Sequence, residues 1–299
     1  MSTDVLRAET ADVMEDVGFD LDRTLDEYSG AVQEFLNKVV ERGGPPAQQF
    51  KGWLNGAWLR HPLHPALTDV PLGAWFAGAL LDLVGAKRAA DAAYTVGVLG
   101  AVPAALSGAA DWSDTAGEPR RTGLLHALLN VTGTGLMVSS LVARRGGQRG
   151  LGVVLSTLGL SCASVAAWLG GRMVYALGTA VSRTAFEPTV EDFKVVMPTA
   201  SVPSGQLVKG ELDIDGTKVP LVLFKQGATI TAISATCTHA GGPLADGKLV
   251  DSECVECPWH GSRFSLVDGS VKRGPAVVRE PVFEVRIRNG NVEVRRRHL

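Results

Sequence analysis

Hydrophobic and polar positions follow three different rhythms along this chain. Between residues 25 and 40 the apolar side chains Leu25, Tyr28, Val32, Phe35, Leu36, Val39 and Val40 recur at helical spacing, with Glu34, Lys38 and Glu41 on the other face. Gly43-Gly44 and Pro45-Pro46 end that helix. A shorter amphipathic stretch follows, setting Phe50, Trp53, Leu54, Ala57 and Trp58 against Gln48, Gln49, Lys51 and Asn55. Tryptophan beside basic residues suits a helix at a membrane interface, and equally one packed on its own chain. Residues 1–60 hold no long apolar run, so no amino-terminal signal peptide is expected.

The second rhythm is continuous hydrophobicity. Four apolar runs, at about 67–86, 90–110, 122–143 and 150–171, are each long enough to cross roughly 30 Å of hydrocarbon. Short polar connections (Lys87-Arg88, Asp114 to Arg121, Arg144 to Arg149) predict an up-down bundle of four transmembrane helices. Gly73, Gly78, Gly97, Gly100, Gly133 and Gly135 would let the helices approach closely. Four buried helices of a soluble protein are the competing reading. An even number of crossings puts both ends of the bundle on one side.

The third rhythm is alternation. Strands are predicted at Lys194–Val196, Val219–Phe224, Thr229–Ile233, Val282–Ile287 and Val292–Val294, with turns at Asp215-Gly216, Gln226-Gly227 and Asn289-Gly290. The expected organisation is an acidic amphipathic segment over 1–60, a bundle over 61–176, a linker over 177–189 and an all-β domain over 190–299.

Composition changes this picture little. The 299 residues carry a formal net charge of −2, which gives no reason to expect nucleic acid as a partner. The mean hydropathy is positive, +0.14, and comes from the apolar runs. Four cysteines, three of them between residues 237 and 257, do not describe a disulfide framework.

Those cysteines lead to the candidate chemistry. Cys237-Thr-His239-Ala-Gly-Gly and Cys257-Pro-Trp-His260-Gly-Ser are two short clips, each offering a thiolate and an imidazole. Together they form a soft mixed sulfur and nitrogen donor set. A zinc site is the alternative, with Cys254 as a further donor, although the glycines and the distant Gly274-Pro275-Ala276 have no place in one. Gly241, Gly242 and Gly261 suit turns that a side chain would obstruct.

The clips, with Ser262 and Gly274-Pro275-Ala276, resemble the Rieske family over roughly the last hundred residues. The resemblance implies one two-iron two-sulfur cluster, with Cys237 and Cys257 on one iron, His239 and His260 on the other, and Gly261 and Ser262 completing the seat. It assigns the Ser262 hydroxyl to a bridging sulfide and Gly274-Pro275-Ala276 to a loop over the cluster. Two departures matter. Gly242 and Trp259 stand where respiratory members carry a cysteine pair, and Phe264 stands where high-potential members carry a tyrosine. Hydrogen bonds to ligand sulfur raise the potential, so the cluster is expected in the lower part of a range of roughly −150 to +300 mV. The pattern is nearer the ferredoxin and oxygenase types.

In the bundle, H-P-L-H-P at residue 61, A-D-W at residue 110, H-A-L-L-N at residue 126 and G-G-R-M-V-Y at residue 170 resemble a four-helix bacterial membrane family without established function. His61, His64, Asp69, Asp111 and His126 belong to one side, and ionisable groups at membrane depth invite a functional reading. His64 and His126 could ligate a b-type haem or contact a quinone headgroup; otherwise the histidines are structural. The basic loops point to the cytoplasm and place the β domain outside, with Arg144-Arg145 readable as an internal twin-arginine signal, in a multi-pass cell-membrane protein. Oxygenase subunits add a second iron domain for which this chain has no room. The expected function is a membrane-anchored electron carrier rather than a stand-alone enzyme, exchanging electrons with a quinone pool or membrane redox partner. The alternatives are a tethered ferredoxin for an oxygenase or reductase, and a redox sensor. Lipid, a redox protein and further copies of the chain are the expected partners.

Overall fold

The computed structural model describes residues 21–297. Its helices are α1 (Leu21–Arg42), α2 (Gly44–Asn55), α3 (Leu63–Leu83), α4 (Lys87–Trp112), α5 (Gly117–Arg145) and α6 (Arg149–Tyr175). Its strands are β1 (Lys194–Pro198), β2 (Leu207–Ile214), β3 (Thr217–Gln226), β4 (Thr229–Ser234), β5 (Lys248–Val250), β6 (Cys254–Glu256), β7 (Arg263–Ser265), β8 (Val271–Arg273), β9 (Val282–Arg288) and β10 (Asn291–Arg296). Two compact units result. One joins the segment up to Gly44 to Leu67–Thr179; the other joins Pro45–Ala66 to the chain from Ala180 onward. Residues 45–66 thus group with the β-rich part, not with the helices that flank them in sequence.

In the helical unit, α3 to α6 are all long and apolar enough to cross a membrane, and no more than 28% of any of these apolar stretches is buried inside the protein. That is the surface of helices solvated by lipid, where every backbone polar group must be satisfied within the helix. Small residues set the approach of neighbours. A Cβ on Gly133 would sit 3.0 Å from the Gly159 carbonyl oxygen, and one on Gly159 would sit 2.9 Å from that of Gly133, so α5 and α6 meet backbone to backbone. Gly97 likewise makes room for the Trp75 indole and Gly78 for the Tyr94 ring, whereas Gly73 and Gly135 face open space.

One charged residue from each spanning helix meets the others in a single network. Arg144 of α5 donates to Asp82 of α3 at 2.6 and 2.9 Å and to Asp91 of α4 at 3.2 Å, while Arg149 of α6 reaches the same two carboxylates. The Arg144 side chain is 1% exposed and that of Asp82 8%, with the guanidinium 4.7 Å over the Tyr94 ring. Arg144 and Arg149, which read as free basic loop charge, are therefore committed to ion pairs.

Helix α1 is docked the unexpected way round. Its polar side faces the α4–α5 connection: Asp26 accepts from Arg120 and Arg121 at 2.9 Å, and Gln33 donates to the Trp112 carbonyl at 2.7 Å. Tyr28 and Phe35, on the apolar stripe, are 66% and 65% exposed. The hydrogen-bonding needs of the span ends explain the inversion. The last carbonyls of α4 lack intrahelical partners, and Gln33 donates to one of them, Trp112, and to the Thr115 carbonyl just beyond the helix.

In the β-rich unit a six-stranded antiparallel sheet runs in the order β1-β10-β9-β4-β3-β2, and a smaller sheet runs β5-β6-β7-β8. Alternation places Leu212, Leu221, Leu223, Val292 and Val294 in the core of the larger sheet. The predicted turns close its hairpins, with Asp215 and Gly216 at φ 52° and 85° and Asn289 and Gly290 at 50° and 76°, the paired positive angles of type I′ turns. Strand β2, interrupted by Gly210 in its sequence and rich in charge, and the three-residue strands of the small sheet were not foreseen from the pattern.

Candidate metal centre

Two loops of the same design emerge from the sheets. The first follows β4 and carries Cys237 and His239; the second joins β6 to β7 and carries Cys257 and His260. In each, the cysteine N–H donates to the carbonyl five residues on, Gly242 at 2.9 Å and Ser262 at 2.8 Å. In each, the glycine four residues on donates back to the cysteine carbonyl, Gly241 at 2.8 Å and Gly261 at 3.1 Å. Both glycines lie at positive φ, 84° and 70°, which is why glycine recurs at that offset.

The loops bring like donors together. The Cys237 and Cys257 thiols are both buried and hydrogen-bond one another, which raises Cys237 and lowers Cys257 because the pair shares a proton; burial adds to the rise at Cys237. The His239 and His260 rings stand 5.0 Å apart, edge to face, with both Nδ1 atoms buried. Among the described residues no three His, Cys, Asp or Glu groups converge as a single-ion site requires. Thiols against thiols and imidazoles against imidazoles form the two-and-two donor set of a binuclear cluster, so the residues fit the group that the sequence resemblance implies.

The surroundings are built tightly. A Cβ on Gly242 would lie 2.8 Å from Cys257 Sγ and 3.1 Å from the Trp259 ring, so the first loop has room only for a glycine beside these two side chains. All four cysteines are free. Ser262 is fully buried and its Oγ accepts from the Ala276 N–H at 3.0 Å, which leaves the hydroxyl proton available to donate elsewhere. Phe264 is fully buried and offers no donor. Cys254 lies on β6, half-buried, with its thiol raised by burial.

Several contributors were not visible in the sequence. Glu280 is completely buried and accepts from the Thr238 N–H at 2.7 Å, tying down the residue between Cys237 and His239; burial raises its carboxyl well above the ordinary range. Arg183, from the expected linker, donates its N–H to the Thr238 carbonyl at 3.1 Å. Glu187 accepts from Ser234 at 2.7 Å and pairs with Arg296 at 3.6 Å, so the linker is fixed beside the first loop. Helix α2 packs on the proline loop: a Cβ on Gly274 would meet Gly52 Cα and Asn55 Oδ1 at 3.6 Å. None of these carries a local signature, because each pairs residues distant in sequence.

The histidines in and beside the bundle have local partners. His126 Nδ1 bonds the Ala166 carbonyl at 2.7 Å, and Asn130 donates to its Nε2 at 3.1 Å, so both ring nitrogens are committed between α5 and α6. Nδ1 of His61 lies 2.8 Å from the Pro62 carbonyl. Asp69 is exposed on α3, and Asp111 is half-buried at the end of α4.

Comparison with known proteins bears on both units. Residues 192–286 match the Rieske [2Fe-2S] domain, and residues 60–183 match a family described as predicted membrane protein (DUF2231). Ferredoxin CarAc of Metapseudomonas resinovorans is 37% identical over 75 residues, 25% of this chain and 69% of that protein. The 3-phenylpropionate/cinnamic acid dioxygenase ferredoxin subunit of Escherichia coli (strain K12) is 32% identical over 95 residues, 32% of this chain and 85% of that protein. Among solved structures, the ferredoxin of carbazole 1,9a-dioxygenase from Nocardioides aromaticivorans IC177 is 23% identical, with a TM-score of 0.32, covering 36% of this chain and 100% of that one. The chain belongs to the Rieske [2Fe-2S] family, and it joins that iron–sulfur electron-transfer domain to a multi-pass membrane domain of four apolar helices.

Proposed function

We propose that Cys237 and Cys257 hold one iron, and His239 and His260 the other, of a single two-iron cluster in a membrane-anchored, low-potential electron carrier whose exchange partner is a second redox protein. The cluster when bound supplies reversible one-electron chemistry. The protein supplies the rest. Cys237 and Cys257 give up protons to become ligands, and Gly241, Gly242 and Gly261 allow the backbone to close around the seat. Ser262 keeps a proton to donate to the seat, and the buried Phe264 excludes water from it.

The observation that carries the low potential is the pairing of a donor-free Phe264 with a sulfur-free Gly242 and Trp259 contact. Without the extra donor, the added electron is less stabilised, and quinol becomes a poor source of it. The relatives, one named a ferredoxin and the other a dioxygenase ferredoxin subunit, support a protein partner. A quinone-pool exchange is the second reading, favoured by the four apolar helices. For a haem or quinone at His64 and His126 the commitment of both His126 nitrogens gives no support. The side of the membrane that carries the cluster follows from no ion-pair count, since Arg144 and Arg149 are matched by Asp82 and Asp91.

A potentiometric titration of the detergent-purified holoprotein tests this reading. A midpoint in the lower part of the family range, with no reduction by a soluble quinol, is the expected result. A midpoint near the upper end, with rapid reduction by quinol, would overturn the protein-partner reading in favour of the quinone pool.

A further inference from the structure

The side chains flanking the two histidines carry a charge pattern of their own. Each of the two positive-φ loop glycines has an arginine beside it. A Cβ on Gly241 would lie 3.7 Å from Arg183 Cγ, and one on Gly261 would lie 3.8 Å from Arg273 Nη2. Arg183 is exposed and enters no ion pair among the described residues. Arg273 is only loosely matched: Glu256 binds Arg263 at 2.6 Å and stands 3.7 Å from Arg273, one carboxylate against two guanidinium groups. The same two loops carry the half-buried His239 and His260 rings and, edge-on to His260 at 6.4 Å, a Trp259 ring that is 57% exposed. The Gly274 side is taken by α2, which leaves the arginine-flanked face for approach.

We infer that this face is an electropositive docking surface for a redox protein that presents carboxylates there, with Trp259 as the apolar contact at its centre. The inference rests on the electron-carrier reading and specifies its partner. Exposed arginine and tryptophan are the residue types that dominate interface energetics, and a patch of one sign steers encounter with the opposite sign. Arg183 adds a particular element. Its backbone is fixed to the first loop through Thr238 and its stem lies against Gly241, so the residue is anchored on the loop that carries His239.

The test uses small outer-sphere oxidants of opposite charge. The dithionite-reduced holoprotein in neutral detergent is mixed in a stopped-flow instrument with hexacyanoferrate(III) or with hexaamminecobalt(III), and the rates are followed against ionic strength. The expected result is a hexacyanoferrate rate that falls with added salt and a cobalt rate that rises. In Arg183→Glu with Arg273→Glu the hexacyanoferrate rate at low salt should drop about tenfold and its salt dependence should reverse, within the span known for electrostatic steering. Arg183→Gln, which keeps the stem against Gly241, should give an intermediate slope with an unchanged cluster spectrum. Salt slopes that are flat or of opposite sign in the native chain, or unchanged in the charge-reversed one, would overturn the inference while the cluster reading stands. A preparation with no reducible cluster would overturn the carrier reading and this inference with it.

Discussion

Replacing Ser262 by alanine separates the two jobs that its hydroxyl performs. The oxygen is fully buried and accepts the Ala276 N–H at 3.0 Å, so the substitution leaves a buried donor unsatisfied, at about 1–3 kcal/mol of stability. In the proposed carrier the hydroxyl proton would be the donor to cluster sulfur. A hydrogen bond to a charged group is worth roughly 1.5–3 kcal/mol, and the reduced state, with one more negative charge, loses more of it than the oxidised state. At 59 mV per tenfold change for a one-electron couple, that difference lowers the midpoint by up to roughly 65–130 mV. Protein-film voltammetry of native and Ser262→Ala protein, with iron content and the reduced spectrum as controls, reads the shift directly. A midpoint within about 20 mV of the native value, in protein that retains its cluster, would refute the donor role and leave Ser262 as an anchor for the proline loop alone.

Other consequences can be checked separately. Gly242→Ala places a methyl group 2.8 Å from Cys257 Sγ, so iron and acid-labile sulfide per chain should fall below about half of native; full loading would show that the cradle yields. Arg144→Leu leaves Asp82 and Asp91 with Arg149 as their only ion-pair partner among the described residues, and should destabilise the bundle by roughly 3–5 kcal/mol, seen as a lower Tm in micelles; an unchanged Tm would make the network ornamental. Asp26 is held below its ordinary pKa by the hydrogen bond from Arg120 and the charge of Arg121, so docking of α1 keeps this contribution above that range and loses it as pH falls through the lowered value. Asp26→Asn should reproduce the acid behaviour at neutral pH, as faster amide exchange across α1. Equal exchange in both proteins would contradict the polar docking.

What could be read from the sequence was whatever lies within a few residues. C-x-H and C-x-x-H set two donors on one loop each, and the glycine offsets that let those loops turn are equally local. The four spans were legible because lipid demands an unbroken apolar run, and the hairpin tips because Asp-Gly and Asn-Gly favour paired positive φ. The rest depended on pairings over long stretches of chain. Arg144 looked like a basic loop residue until folding placed it against Asp82, 62 positions earlier. The apolar stripe of α1 suggested the side that would pack, but Gln33 and Asp26 were needed to satisfy the α4 end and Arg120, and that need decided which side docked. Helix α2, Arg183 and Glu280 reach the cluster loops from outside any recognisable motif.

The central claim is tested most directly by low-temperature EPR on washed membranes from cells producing the chain, before and after dithionite. A rhombic signal of a histidine-ligated two-iron cluster that appears on reduction, stays with the membranes through an alkaline wash and is lost in His260→Cys is the predicted result. Membranes that remain silent on reduction, or a signal that leaves with the wash, would contradict a membrane-anchored Rieske carrier.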